Sequence, residues 1–354
     1  HKNILEDINM IKSLFNYEFD SKNEIIKSIA KMLFVVFAFY MLVVANVLMF
    51  IWSDEPDTFN VQQITTEFNE KHGLETVAGS HTMATTIHMS DVLLNKTGGY
   101  LSNDVTYPSV FMDNIPRWEF GVVEIQRVMA LSLRKDLSRS QSQSQENKDL
   151  INAQTAYNND HAKWMLPSAE SKYNESMNSM IAFTKDMADP SKSEAQFYTR
   201  ADNLRDLLEE LSKKLGSLSQ GLSEASPNVR VNTDLANDAT AEQSTVTSKY
   251  VPVKTKWNKI DDVFYEARGQ SWAMLHILKA VKYDFDSVLK KKNAHASLDQ
   301  IIKELEDAQQ PVGSLIILNG EGFGHIPNHS FIMANYISRA NAAIIDLIDL
   351  LNRG

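Results

Sequence analysis

The stretch that decides the organisation of this chain is MLFVVFAFYMLVVANVLMFIW, at residues 32–52. It contains no charged residue, and Asn46 is its strongly polar side chain. A helix of that length rises about 30 Å, the thickness of the hydrocarbon layer of a bilayer. Trp52 lies at one end, where an indole ring favours the membrane interface. We therefore predict a transmembrane helix over residues 32–52.

The flanks of this span differ in charge. Positive charges accumulate on the cytoplasmic side of bacterial membrane helices, so the N-terminal segment 1–31 is expected in the cytoplasm and the bulk in the periplasm. A cleaved signal peptide is disfavoured for two reasons. The apolar run of a typical signal peptide is only about 7–15 residues, shorter than residues 32–52, and a small-x-small cleavage site follows such a run but does not follow this one. The prediction is an uncleaved, single-pass anchor in a bacterial inner membrane. The flanking charges are Lys22, Lys27 and Lys31 before the span and Asp54, Glu55 and Asp57 after it.

The rest of the chain shows helical rather than strand periodicity, so the predicted fold class is all-α, with an elongated extracytoplasmic helical bundle after the span. Residues 1–31 carry apolar side chains at a spacing that predicts a separate short amphipathic helix. Residues 53–79 are expected to form an irregular connector, and 80–354 the periplasmic helical domain. The polar stretch 224–255 is a candidate sub-boundary inside it.

Seven helices are predicted after the connector. The clearest covers 256–289, where apolar residues recur at steps of three and four. Ser297 and Gln300 have the spacing of a capping box and predict where another helix begins. The predicted helices are 82–95, 117–140, 168–187, 193–222, 256–289, 297–310 and 328–351.

Composition excludes some functions. The net charge is −10 and the pI about 5.4, which argues against a nucleic-acid partner because phosphate contacts require clustered Lys and Arg. Cysteine is absent, which fits an oxidising periplasm but also a cytoplasm. His325 and His329 are four apart, but Pro327 between them disfavours a helical metal pair. We therefore predict no catalytic residues, no cofactor and no metal site.

Two segments, 198–206 and 257–269, combine charged and apolar residues. The favoured interpretation is a solvated or structural network of ion pairs between helices, and the alternative is a polar pocket with shifted pKa values. The candidate residues are Arg200, Asp202, Arg205, Asp206, Asp261, Asp262, Glu266 and Arg268.

The loop 101–114 and its flanks mix aromatic residues with Pro, Asn and Asp, which is typical of contact surfaces. The favoured interpretation is a loop packed on its own bundle, and the alternative is a surface for a partner. The candidate contact residues are Tyr100, Asn103, Asp104, Tyr107, Phe111 and Trp118.

Eight ordered blocks resemble the proteobacterial membrane-anchored envelope family catalogued as domain of unknown function 2333. The resemblance implies a bacterial membrane-anchored protein without an assigned activity, and it supplies no catalytic residues. The blocks are GGYLSND (98–104), PSVFMDNIPRWEFG (108–121), SRSQSQS (138–144), QFYTRADNLRD (196–206), LGSLSQ (215–220), IDDVFYEARG (260–269), LNGEGFG (318–324) and NHSFIMANYISRANAAIIDL (328–347).

The leading functional hypothesis is a non-enzymatic periplasmic scaffold or accessory subunit of a cell-envelope assembly. Its expected partners are the lipid bilayer and either a second copy of the chain or another envelope protein. The alternative is a tethered hydrolase that acts on cell-wall or lipid-derived material with carboxylates of 198–206 and 257–269. A third hypothesis is a ligand-binding sensor that signals through the span.

Overall fold

The computed structural model of the chain confirms a helical bundle and divides into two compact units, His1–Trp52 and Ser53–Gly354. The candidate sub-boundary at 224–255 falls largely outside the described residues. The structure describes residues 2–139, 145–225, 228–231, 250–253, 255–314, 316–320 and 324–353.

The first unit is one helix, α1, Lys2–Trp52. Its part Asn23–Trp52 is long and apolar enough to cross a membrane, and the most apolar 18 residues within it have a mean hydropathy of 2.6. The prediction of a separate short helix before the span was wrong, because no Pro or Gly interrupts the chain there. The polar side chain of Asn46 is satisfied within α1, since its amide donates to the carbonyl of Leu42 at 2.8 Å.

The second unit contains ten further α-helices and one short hairpin among its described residues. The antiparallel strands β1 (Asn228–Val231) and β2 (Tyr250–Val253) pair Val229 with Pro252. A π-helical turn, Leu133–Leu137, extends α4. The helices are α2 Val61–His72, α3 Ser80–Asn95, α4 Asn114–Ser132, α5 Lys148–Tyr157, α6 Ala169–Ala188, α7 Ala201–Glu224, α8 Ile260–Asp284, α9 Asp286–Lys291, α10 His295–Asp307 and α11 His329–Asn352.

Several local expectations need correction. The stretch 53–79, expected to be irregular, contains α2. The Asn60 carboxamide accepts the first free amides of that helix, and Gly73 ends it at φ +65°. Helix α5 was not predicted. Helix α10 begins at His295, so Ser297 lies within its first turn instead of capping it.

Helix α8 forms the centre of the second unit. It packs against α3, α4, α7 and α10, and α11 lies against α7 and α10. Trp272 of α8 and Trp118 of α4 are both buried, and their rings meet edge to face at a centroid distance of 5.1 Å. A helix covered on this many sides must satisfy its polar side chains internally. Ser271 does so by donating to the carbonyl of Ala267 at 2.8 Å.

Two glycines allow α4 and α8 to cross in backbone contact. A Cβ atom built on Gly269 would lie 2.0 Å from the carbonyl oxygen of Trp118, and one built on Gly121 would lie 2.3 Å from that of Glu266. Both neighbours are backbone atoms, which side-chain rotation cannot move. Larger residues at either position would therefore force the two central helices apart.

We predict that Gly269→Ala destabilises the protein by about 1–3 kcal/mol, because the added methyl group overpacks a backbone crossing. Chemical denaturation of the full-length protein in mild detergent measures the change.

Gly221→Ala is the matched control. Its Cβ atom would contact Val263 at an ordinary 3.6 Å, so helix propensity should make this variant neutral or slightly more stable. Equal behaviour of the two variants would contradict the close crossing.

Candidate functional site: the segment after α1 and its cleft

The segment 53–60, which follows α1 directly, is docked along α8. Contacts occur at every second residue of the segment and every fourth residue of the helix. Two residues of extended chain span about 6.6 Å and four residues of helix rise about 6 Å, so the two elements stay in register. The contacting pairs are Glu55 with Arg268, Asp57 with Trp272, and Phe59 with His276.

Arg268 makes the first contact. Its guanidinium Nε lies 3.0 Å from Oε2 of Glu55, and Nη1 donates to the carbonyls of Ala308 and Gln310 at 2.9 and 2.8 Å. Both charged side chains are largely withdrawn from solvent, at 7% and 16% exposure. Arg268 therefore joins the segment after α1, the central helix α8 and the end of α10.

His276 makes the last contact, and both of its ring nitrogens have hydrogen-bond partners. Nδ1 lies 2.7 Å from the carbonyl oxygen of Trp272, and Nε2 accepts the backbone N–H of Phe59 at 3.0 Å. The Phe59 ring stacks on the imidazole at 3.8 Å. Burial lowers the pKa of His276 from its ordinary 6.5 to about 3, so the ring stays neutral. Such a histidine is a structural acceptor rather than an acid–base catalyst.

A cleft of about 720 Å³ lies beside the docked segment. Arg268 is already saturated by Glu55 and two carbonyls, whereas Asp54 and Asp57 are exposed carboxylates. Glu306 is paired with Lys279 at 2.7 Å. The cleft therefore suits a cationic or hydrogen-bond-donating ligand and repels phosphate. It is lined by Ser53, Asp54, Glu55, Pro56, Asp57, Thr58, Tyr265, Arg268, Trp272, Glu306, Gln309, Gln310, Pro311 and Val312.

The predicted cluster at 198–206 consists of local ion pairs at the start of α7. Arg200 pairs with Asp202 at 3.1 Å, and Arg205 pairs with Asp206 at 2.6 Å. All four side chains are about one-third exposed. In the described part of the chain, no hydrogen bond or ion pair joins them to the residues of 257–269.

The cluster at 257–269 serves several separate contacts. Asp262 is buried and is bound by Lys259 at 2.7 Å and by Arg117 of α4 at 3.3 Å. Asp261 accepts the backbone N–H of Asp262 at 3.1 Å. Burial raises the pKa of Glu266, whose carboxylate accepts a hydrogen bond from Gln270. The contact between Arg117 and Asp262 is thus an ion pair between helices.

The candidate contact loop divides into a buried and an exposed part. The buried part packs on the bundle through Tyr100, whose hydroxyl donates to the carbonyl of His161 at 3.0 Å, and through Trp118 and Asn103. The exposed part contains Asp104, Tyr107 and Phe111, and the last two rings meet edge to face.

The sequence reasoning missed the docked segment. Glu55 and Asp57 were interpreted only as charges that orient the span, and Phe59 was not singled out. The sequence offers little signal for it, because Asp57 is exposed and contacts α8 through its backbone carbonyl, which no side-chain pattern reveals. Among the described residues, no three His, Asp or Glu side chains converge as a metal-ligand set.

The fold and this site define a class: a helical-bundle protein in which a long apolar helix runs directly into a docked segment. The chain belongs to the family described as "Uncharacterized protein conserved in bacteria (DUF2333)", whose model matches residues 25–354. No curated protein and no solved structure matches the chain.

We predict that Arg268→Leu destabilises the protein by about 3–5 kcal/mol, because it leaves the Glu55 carboxylate buried without a partner. Adding Glu55→Gln to this variant should recover part of the loss. Denaturation of the single and double variants gives the coupling energy. Arg205→Leu, at an arginine that is about one-third exposed and has only local partners, is the control and should change stability by about 0.5 kcal/mol or less. A coupling energy near zero would contradict the contact.

We predict that the protein loses stability as the pH falls below 6.5. Between pH 6.5 and about 3, the unfolded chain protonates His276 while the folded protein does not, so stability is present above 6.5 and lost towards acid. Within this range His276 lowers the free energy of unfolding by up to about 1.4 kcal/mol for each unit by which the pH falls. His276→Gln should be less stable at pH 7 but should show a shallower decline. Measuring the free energy of unfolding of the unchanged protein and of His276→Gln at pH 7.5, 6.5 and 5.5 checks this. Parallel declines of the two proteins would rule out a buried neutral histidine.

Proposed function

We propose that this protein is a single-pass inner-membrane protein whose helical domain works in the periplasm as a non-enzymatic scaffold or accessory subunit of an envelope assembly. The observation that carries the proposal is the docked segment. Only Ser53 and Asp54 separate the end of α1 from Glu55, which Arg268 binds. The chain that leaves the span is thus part of the fold of the domain.

The membrane placement rests on α1. Only 6% of its most apolar 18-residue window is buried among the described residues, whereas core helices of soluble proteins are largely covered. Lys27 and Lys31 precede the span, and Asp54 and Asp57 follow it, which favours a periplasmic location for the domain.

The scaffold role rests on how the chain enters the domain. A flexible linker is sufficient for an enzyme that only needs to remain near a membrane. A buried ion pair and a buried histidine contact instead make residues 55–59 part of the domain itself. Such a connection is useful where a domain must present a surface at a defined place, as in an assembly with another envelope protein or a second copy.

The alternative is a tethered hydrolase that acts on cell-wall or lipid-derived material. One observation favours it: burial raises the pKa of Glu266, as a general acid requires. Asp262 counts against a carboxylate pair because Lys259 and Arg117 already bind it. If this alternative holds, Glu266→Gln should abolish the cellular function that depends on the hydrolase activity. An unchanged cellular phenotype would reject the alternative.

Mild-detergent extraction of the C-terminally tagged full-length protein from native membranes tests the scaffold proposal. Particle mass and protein identification should reveal either a closed homo-oligomer or a constant envelope partner. The Arg268→Leu variant, extracted in parallel, should yield less of that particle. A bare monomer from both proteins would contradict the proposal.

A further inference from the structure

Two uncharged loops begin at neighbouring points on the second unit. Residues 105–112 read VTYPSVFM and residues 164–168 read WMLPS. The Asn103 carboxamide donates to the carbonyl of Lys163 at 3.0 Å, which joins the residues just before each loop. We name these two loops together the double-loop tip.

The double-loop tip exposes large apolar side chains that a water-facing loop does not need. Leu166 is 91% exposed, Phe111 72% and Trp164 57%, and Tyr107 is also exposed. Solitary exposed apolar residues are common on protein surfaces, but two neighbouring uncharged loops that expose three aromatic rings indicate a contact surface.

The backbone of both loops is partly satisfied by the loops themselves. The carbonyl of Lys163 also accepts the N–H of Ala169 at 2.9 Å, which closes the second loop at its base. In the first loop, Val110 donates to Thr106 and Met112 donates to Ser109, both at 2.9 Å. Internal hydrogen bonds lower the free-energy cost of moving a loop from water into a less polar medium.

We propose that the double-loop tip inserts into the interfacial layer of a lipid bilayer, as a second membrane contact besides α1. This inference rests on the proposed membrane anchoring, which keeps the domain at a high local concentration of lipid. Three features favour lipid over a protein partner: both loops expose large apolar side chains, neither loop carries a charge, and Trp and Tyr prefer the headgroup region. A fluid interface accepts such side chains without a matching pocket.

The charges next to the tip define the lipid class. Asp104 and Asp113 flank the first loop, Lys163 precedes the second, and no Lys or Arg lies within either loop. Attraction to anionic headgroups needs clustered basic residues, so zwitterionic lipid is sufficient and the contact should not depend on salt.

Single-cysteine labelling tests the proposal, because the chain has no native cysteine. Cysteine replaces Leu166, Phe111 or the exposed Ser193 in the full-length protein, which is reconstituted into phosphatidylcholine vesicles. Each cysteine carries an environment-sensitive fluorophore. We expect blue-shifted emission and quenching by headgroup-level spin-labelled lipid at 166 and 111, unchanged in high salt. The control at 193 should show neither effect.

Two results would overturn the proposal. Water-like emission at 166 and 111, equal to that at 193, would mean that the tip stays in solvent. Blue-shifted emission without lipid quenching would mean that a protein, such as a second copy, covers it. Val36→Cys in α1, read with a deep spin-labelled lipid, tests the anchor separately. If only that label is quenched, the anchor stands and the tip contact fails; if it is not quenched, the membrane proposal itself fails.

Discussion

The buried ion pair between Arg268 and Glu55 is the constraint on which the domain's connection to α1 depends. A guanidinium withdrawn from water must find acceptors for its fixed N–H groups, or the free-energy cost of desolvation remains uncompensated. Glu55 supplies the charge, and the carbonyls of Ala308 and Gln310 supply the remaining acceptors. One side chain thereby fixes three segments that are distant in sequence.

The position of Arg268 follows in turn from the glycine crossing one residue further along α8. Gly269 lets α4 approach within backbone contact, which places Trp118 against Trp272. The indole N–H of Trp272 then reaches the carbonyl of Asp57 at 3.2 Å. The face of α8 that the chain after α1 covers is therefore oriented by packing on the neighbouring face of the helix.

Periodicity was sufficient to predict the long helices and the apolar span, because burial on one or all faces leaves a regular pattern of side chains. It failed for α2 and α5, which are short and polar, although Asn60 and Asn147 mark their starts as N-caps. It could not predict which loop aromatics turn inward, since Trp118 is buried by a partner that lies 154 positions away at Trp272. Propensity and charge likewise gave no means of pairing Glu55 with Arg268.

The candidate site residues were likewise predicted only in part from the sequence. Arg200 and Asp202 were expected in a network between helices, yet neighbours in sequence satisfy them first, because a contact within one turn costs little chain entropy. Arg268 was singled out for its charge, whereas its role depends on a segment interpreted only as a topology signal. The sequence thus indicated a residue that matters but not the contact that explains it.

Hydrogen exchange at the backbone amide of Phe59 in the full-length protein tests the docked segment most directly. This amide donates to a buried, neutral imidazole in a stretch outside regular secondary structure. We expect protection comparable to that of the α8 core, because exposing the amide requires the segment to leave the helix. Exchange at the rate of an unstructured peptide, with α8 still protected, would contradict it.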